Sequence, residues 1–520
     1  MNKKIITLGG MLLLAVMLFA QSKENTDTTR YKMLPKMTIW NHKKIMHDLF
    51  GEPKMEIKTI GILVYNGFDA MEGIGAMVVF SELMNVKVNY ISLNKGLVKN
   101  NLTEILVEKN LDDIQQLDLL YIPGGETKAL SELIKNTKVI DWIKKIDTTS
   151  KITAGSGSGV FLLGKAGLLK NKTATCNWFH AKENLKLFEA EYKTVRYCND
   201  GKYWTSVGST GVLDLTLSIV KQICGEKYLQ GAMLDLEYSP QPPAVGGTPQ
   251  KSDTAVVTAA TANPEIIDGL YFLNKQVPNH ISNLLIKSNT NTVDSIGIFV
   301  YNGTFTLDFL DPLVVLSELP HAKVFLIAPE KGMVRSGRTQ INVGHSISEF
   351  KKLDLLLIPG GSLGTWNMTQ DTTIRSWIKK IDKNSKYTTS VCTGAWVLGA
   401  ANLLNGKKAT THWYRAEEMM NRYGAAYKQA RYINDGKYWT SAGVSAGIDM
   451  SLALIKNITG EQYMQKVMLD LAYDPQSPIN AGTPEKSDKN VFQMMQTMYD
   501  YGMLPLIKKD DKKKNKHKTL

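Results

Sequence analysis

The sequence has little of what imposes a specialised architecture. Its 520 residues include only four cysteines and 17 prolines, which excludes a disulfide-stapled scaffold and a collagen-like or low-complexity chain. Cys176, Cys198, Cys224 and Cys392 are not spaced as a zinc site or as a Cys-x-x-Cys redox pair. Beyond the first 20 residues no apolar run reaches the roughly 20 residues that a membrane span requires. What is present fits an ordinary folded protein, 43% hydrophobic and 21% charged, with 41 glycines. At roughly 150 residues per domain, the length allows about three domains, or two joined by connecting segments.

The net charge of +13 is concentrated at the ends. Residues 508–520 carry seven lysines against Asp510 and Asp511, and Lys3 and Lys4 add to the other terminus, which leaves an unremarkable +6 on the body. A lysine-rich end can attract nucleic acid or anionic lipid. With no aromatic residue or arginine among these lysines, the simpler reading is a solvated, disordered basic tail, and no specific nucleic-acid partner is expected. At the N-terminus, two lysines, an apolar run from Ile5 to Phe19 and a small residue, Ala20, precede Gln21-Ser22-Lys23. That order is the signature of a secretory signal peptide. The mature protein is therefore expected to be exported, periplasmic or secreted, without a transmembrane segment; a retained N-terminal anchor is the alternative. Export permits disulfides, so Cys176 and Cys198 either pair or stay as buried thiols.

Comparison of the chain with itself reveals a tandem duplication. Ile60-Gly-Ile-Leu-Val-Tyr-Asn-Gly67 recurs as Ile296-Gly-Ile-Phe-Val-Tyr-Asn-Gly303, and Leu117-Asp-Leu-Leu-Tyr-Ile-Pro-Gly-Gly125 as Leu353-Asp-Leu-Leu-Leu-Ile-Pro-Gly-Gly361. Asn199-Asp-Gly-Lys-Tyr-Trp-Thr-Ser206 and Met233-Leu-Asp-Leu236 also recur, all in the same order and about 235 residues apart. A period this long is a domain. The expected organisation is a signal peptide at 1–20, domains at 57–250 and 293–487, a linker at 251–292 with a helix or two, and a basic tail at 488–520.

Within the second copy, aliphatic and β-branched runs at 295–301, 323–328, 354–358 and 387–391 read as buried strands. Residues 308–319, 372–381 and 394–404 have helical periodicity. Such alternation predicts an α/β fold, two tandem three-layer domains of flavodoxin-like or Rossmann-like type with mostly parallel sheets. Ligands in that architecture bind beyond the carboxyl ends of the strands. There Thr388-Thr-Ser-Val-Cys-Thr-Gly-Ala-Trp-Val-Leu-Gly399 passes from strand through a sharp turn into helix with Cys392 at the turn. This is the nucleophile-elbow pattern, and the amides and dipole of a helix N-terminus favour thiolate over thiol.

Asp308, Pro359-Gly-Gly361, Cys392-Thr-Gly394 and Ala409-Thr-Thr-His-Trp413 together resemble the ThiJ/PfpI superfamily, within the class I glutamine-amidotransferase-like fold, and most of all its isocyanide hydratase and amidase-regulator branch. Gln476-Ser-Pro478 with Ala481-Gly-Thr-Pro484, and Gln241-Pro-Pro243 with Gly247-Thr-Pro249, resemble the ends of such domains. The resemblance implies that Asp308 hydrogen-bonds the Cys392 sulfur. It also implies that the amides of Gly360, Gly361 and Thr393 lie near the sulfur to receive a developing anion, and that Thr393 positions substrate or water through its hydroxyl. His412 matches a histidine near the cysteine in relatives and is a candidate acid/base or a packing residue. Asp311-Pro312 replaces the family's usual Gly-Pro and should make the site more acidic. Trp396, Trp413 and Tyr414 are candidate pocket walls.

The first copy departs from the pattern. Gly157 stands opposite Cys392 and Asn177 opposite His412, while Glu72 keeps the acid. Ser156 and Ser158 flank the elbow position without occupying it. The first copy is therefore expected to be a pseudoenzyme half, and, since single-domain relatives dimerise, an intramolecular partner of the second. The expected function is cysteine-dependent hydratase or hydrolase chemistry on a small electrophilic substrate, isocyanide hydratase-like, with no cofactor or metal. The alternatives are glyoxalase, deglycase or amidase activity, and a non-catalytic binding or redox-sensing role. Transcriptional regulation is disfavoured, since 487–520 is too short for two helix-turn-helix motifs.

Overall fold

The computed structural model describes residues 42–100, 102–273, 284–286 and 292–518. The expected signal peptide lies outside them, as does part of the expected linker. Each half is built on one seven-stranded sheet. In the first the strands run, edge to edge, Tyr197–Asp200, Tyr203–Ser206, Ile152–Ser156, Leu119–Ile122, Thr59–Leu63, Lys87–Ser92 and Lys109–Asn110. In the second the order is Tyr432–Asp435, Tyr438–Ser441, Tyr387–Val391, Leu355–Ile358, Ser295–Phe299, Lys323–Ala328 and His345–Ser346. All neighbours are parallel except the first pair in each sheet, a hairpin turned at Gly201 and Gly436, both with positive φ.

Composition explains the layering. Leu355–Ile358 is Leu-Leu-Leu-Ile with every residue buried, and a strand that is apolar without alternation must be covered on both faces. It lies at the centre of its sheet, parallel to Ser295–Phe299 and Tyr387–Val391. The expected helices form as Thr306–Leu316, Thr372–Asp382 and Gly394–Ala400. The last stops before the expected end, where Asn402 takes a left-handed φ of 58°, a common helix stop.

The halves pack together through several kinds of contact. Strands Gly332–Ser336 and Thr339–Val343 join Glu104–Val107 and Gly96–Lys99 in one four-stranded sheet, with Ile341 opposite Ile105. Helix Ala70–Ser81 packs on Thr306–Leu316. Equivalent arginines, Arg196 buried and Arg431 partly so, also reach across: Arg196 pairs with Asp214 and donates to the Ala472 carbonyl, while Arg431 pairs with Asp449 and donates to the Glu237 carbonyl.

Two expectations are corrected outside the sheets. The segment 251–292 holds not only the helix Thr254–Ala260 but also a β-hairpin, Pro264–Ile267 with Leu270–Leu273. Its turn, Asp268-Gly269, has positive φ at both residues, the pairing that matches strand twist. The end expected to be disordered, 508–520, is helical over its described part, where it closes the helix Lys489–Lys518. Val491, Met494, Met495, Met498, Met503 and Ile507 are buried, spaced by three and four from Val491 to Met498 and again from Met503 to Ile507, the spacing of one helix face. Arg422 clasps Asp510 and Asp511. This helix packs on Glu226–Asp235 of the first half, and Thr254–Ala260 packs on Glu461–Asp470 of the second, so each half ends on the other. Among the described residues no helix is long and apolar enough to cross a membrane.

Candidate active site

Strand Tyr387–Val391 ends at Cys392, whose φ is 58°, and helix Gly394–Ala400 follows. A left-handed backbone costs a non-glycine residue about 1–2 kcal/mol and persists only where its surroundings hold it. Here the Cys392 N–H donates to the Ser441 carbonyl at 3.1 Å and the Thr411 hydroxyl donates to the Cys392 carbonyl at 2.9 Å. Gly394 lies so close to the Ile358 carbonyl that a Cβ would sit 2.0 Å from its oxygen.

Asp308 enters from helix Thr306–Leu316 and is fully buried. Its Oδ2 accepts from the Gly360 N–H at 3.0 Å, and the carboxyl is hydrogen-bonded to Cys392. Burial pushes its pKa up to about 8, against the lowering effect of those two bonds. Gly360 must be glycine, since a Cβ there would lie 2.8 Å from both Asp308 Oδ2 and Cys392 Cβ. The cysteine departs from expectation. Burial, then the Asp308 and Glu237 carboxyls, push the thiol up, and the bond from the Thr393 N–H only partly opposes them. The dipole of a short helix does not outweigh desolvation inside the protein.

The expected anion-binding amides are already engaged. The Gly360 N–H serves Asp308, and the Gly361 N–H donates to Thr393 Oγ1 at 3.1 Å. The Thr393 hydroxyl in turn donates to the Gly361 carbonyl at 2.6 Å and contacts Thr365 Oγ1 at 3.1 Å. Thr393 therefore braces the Gly361 loop rather than offering its hydroxyl to a ligand, while its own N–H faces the sulfur. His412 is buried, which lowers its pKa to about 3. Its Nδ1 accepts from the Tyr414 N–H at 3.3 Å, so the ring is neutral with its proton on Nε2. That excludes an imidazolium acid and leaves a neutral donor. Asp311 is buried with neither oxygen partnered, and burial and then its acidic neighbours push it well above the usual carboxyl range.

Cys392, Thr393, Gly361, Trp396, His412 and Tyr414 line a small, narrow cavity, whereas Trp413 faces a separate, more open cleft. The same cavity is closed by residues that sequence reasoning missed. Asp235 comes from the first half, and Tyr499 and Met503 come from the C-terminal helix. Glu237, also from the first half, donates no proton to a partner: its Oε1 accepts from the Trp413 N–H at 2.9 Å, Oε2 is unpartnered, and burial raises it to about 8. A comparison of the copies carried a signal, because Glu237 stands where the second copy has Ala472. Among the described residues no cluster of three His, Cys, Asp or Glu side chains is placed to hold a metal. All four cysteines are free, Cys198 lying 3.4 Å from the Thr205 hydroxyl.

In the first half Gly157 keeps the elbow backbone, with φ 52° and no side chain. The longer Glu72 fills the space: Oε1 accepts from the Ser209 N–H at 2.7 Å, and Oε2 from the Gly124 N–H at 2.6 Å and the Ser156 hydroxyl at 2.5 Å.

The family model described as the DJ-1/PfpI family matches residues 58–222 and 294–457. Isonitrile hydratase of Pseudomonas putida is 34% identical over 197 residues, covering 38% of this chain and 86% of that protein. The HTH-type transcriptional regulator CdhR of Pseudomonas aeruginosa is 30% identical over 163 residues, covering 30% of this chain and 48% of that protein. A solved ThiJ/PfpI family protein from Pseudomonas syringae is 28% identical with a TM-score of 0.37, covering 41% of this chain and 95% of that one.

Proposed function

The chain belongs to the DJ-1/PfpI family in two copies, and from that premise we propose that its second half is a cysteine-dependent hydratase of isonitrile-hydratase type, acting through Cys392, while the first half is a pseudoenzyme partner. One observation carries the reading. A buried thiol on a strained elbow is hydrogen-bonded to a carboxyl whose pKa is about 8, so proton and nucleophile sit together near neutral pH.

For an isonitrile R–N≡C, Cys392 Sγ forms a bond to the terminal carbon. The thiol proton, relayed by Asp308, goes to the same carbon and gives the thioimidate R–N=CH–S–Cys392. Water then adds to that carbon, with one of its protons passing to nitrogen. The C–S bond breaks as the new hydroxyl becomes a carbonyl and its proton returns to sulfur. The product is the formamide R–NH–CHO, and the net reaction consumes one water without oxidation or reduction. Asp308 carries protons in both halves of the cycle.

Amide hydrolysis is less well supported. Its first step builds an oxyanion, each donor to which is worth about 3 kcal/mol, and the Gly360 and Gly361 amides are occupied. Attack on an isonitrile carbon creates no oxyanion in that step. Redox sensing favours an exposed thiolate, which a buried, upward-shifted Cys392 does not supply.

The test is conversion of small alkyl isocyanides to formamides. Cys392→Ala should abolish turnover, and Asp308→Asn should lower kcat by roughly 10²-fold or more. Equal rates in the wild type and Cys392→Ala would remove the mechanism.

A further inference from the structure

In the second half, the buried ammonium of Lys466 lies between two carboxylates, 2.6 Å from Asp470 and 3.3 Å from Glu318. The matching positions of the first half are Gly231, Asp235 and Glu82. Both acids are kept and the lysine is lost. Asp235 and Glu82 are only 3% and 6% exposed, and among the described residues no basic side chain forms an ion pair with either. Asp235 Oδ1 accepts from the Tyr499 hydroxyl at 2.6 Å, while Oδ2 is buried without a partner. An uncompensated buried carboxylate is expensive.

The two acids face different cavities. Asp470, tied off by Lys466, lines the cavity of the first half, where Gly157 replaces the nucleophile. Asp235 lines the cavity of Cys392. That cavity shares Phe305 and Ser362 with a larger one, whose wall includes Glu82 and Arg338. The carboxylate is thus neutralised by the chain's own ammonium beside the degenerate site and left open beside the site with a thiol.

We propose that the Cys392 cavity takes a substrate that carries an ammonium group, docked on Asp235 as Lys466 is docked on Asp470. The rest of the lining agrees. Phe305, Trp396, Tyr414 and Tyr499 surround the same space, and ring faces attract cations. Burial raises Asp235 to about 6, whereas burial and then Asp235 push Glu82 well above the usual carboxyl range, with the Arg338 guanidinium pulling it the other way. Arg338 lies on the Glu82 side, so Asp235 is the carboxylate left for an ammonium, and the neutral His412 does not compete for it.

The proposal rests on Cys392 as the nucleophile, so binding and turnover are read separately on the full chain. In calorimetry the wild type should bind butylammonium at least about tenfold more tightly than butanol. That preference should vanish in Asp235→Asn, and also in Gly231→Lys, where a Cβ would meet only Phe50 and Val491 at 3.5 Å and beyond. Should the lysine variant fail to fold, the near-isosteric Asp235→Asn decides alone. In turnover, kcat/KM for an ω-ammonioalkyl isocyanide should exceed that for an alkyl isocyanide of equal length, and the ratio should collapse in both variants. Equal affinity for the two probes in the wild type, or a preference that survives in Asp235→Asn, overturns the ammonium site. Ammonium binding that depends on Asp235 without turnover of either isocyanide supports the site and overturns the hydratase reading instead.

Discussion

At Glu72 and Asp308, one methylene separates two outcomes. Asp308 stops short and leaves space for a sulfur, whereas Glu72 reaches into that space and is held there by three donors. Glu237 acts at longer range: its carboxylate, contributed by the first half, raises the Cys392 thiol in the second. Because its own pKa is about 8, the charge develops as pH rises through that value. Glu237→Gln, which can still accept from the Trp413 N–H, should therefore speed iodoacetamide alkylation of Cys392 above about pH 8 and leave it unchanged below. Coincident pH profiles for the two proteins would show that the charge does not reach the sulfur.

At the scale of elements, the elbow and the C-terminal helix matter most. A cysteine placed in the elbow of the first half should not recreate a reactive site, because its Cβ would lie 2.6 Å from Glu72 Oε1. Gly157→Cys alone is expected to lower stability and to resist alkylation, and Gly157→Cys with Glu72→Asp to yield a thiol that peptide mapping finds labelled. Labelling of the single variant at the rate of the double one would contradict this account. The helix Lys489–Lys518 seals the Cys392 cavity through Tyr499 and Met503. Truncating Met498, 3% exposed on its buried face, to alanine should cost about 2–5 kcal/mol. Thermal melting should register that loss, and Cys392 should alkylate faster as the wall loosens.

For the molecule as a whole, buried carboxyls set the pH response. Asp235 at about 6, Glu72 at about 7, and Glu237 and Asp308 at about 8 are all raised above their unfolded values. A raised pKa means that the folded state holds the proton more tightly, so the stability it contributes is complete in acid and lost as pH rises through the folded value. Glu349, held down at about 2 chiefly by the Ser346 N–H bond, works in the opposite sense in strong acid, and His412, lowered to about 3 by burial, does so up to about pH 6.5, but as one group against four. The urea midpoint should therefore fall between about pH 5 and about pH 9. A midpoint that rises over that range would mean these groups are not buried as described.

The sequence by itself determined the duplication, the parallel sheets and the position of the thiol, because each is written in local pattern: repeated segments, apolar runs without alternation, and a strand-turn-helix around Cys392. It also contained signals that local reading passed over, the Asp268-Gly269 hairpin turn and the apolar spacing from Val491 to Ile507. The state of the site was decided only in three dimensions. Whether a thiol is raised or lowered depends on desolvation and on carboxyls such as Glu237, more than 150 residues away in sequence. Whether an amide is free to bind an anion depends on what has already accepted its proton, here Asp308 for Gly360 and Thr393 for Gly361. The exchange of terminal helices brings Asp235 and Tyr499 to one cavity. Such contacts join segments with no shared sequence pattern, so only the packed chain reveals them.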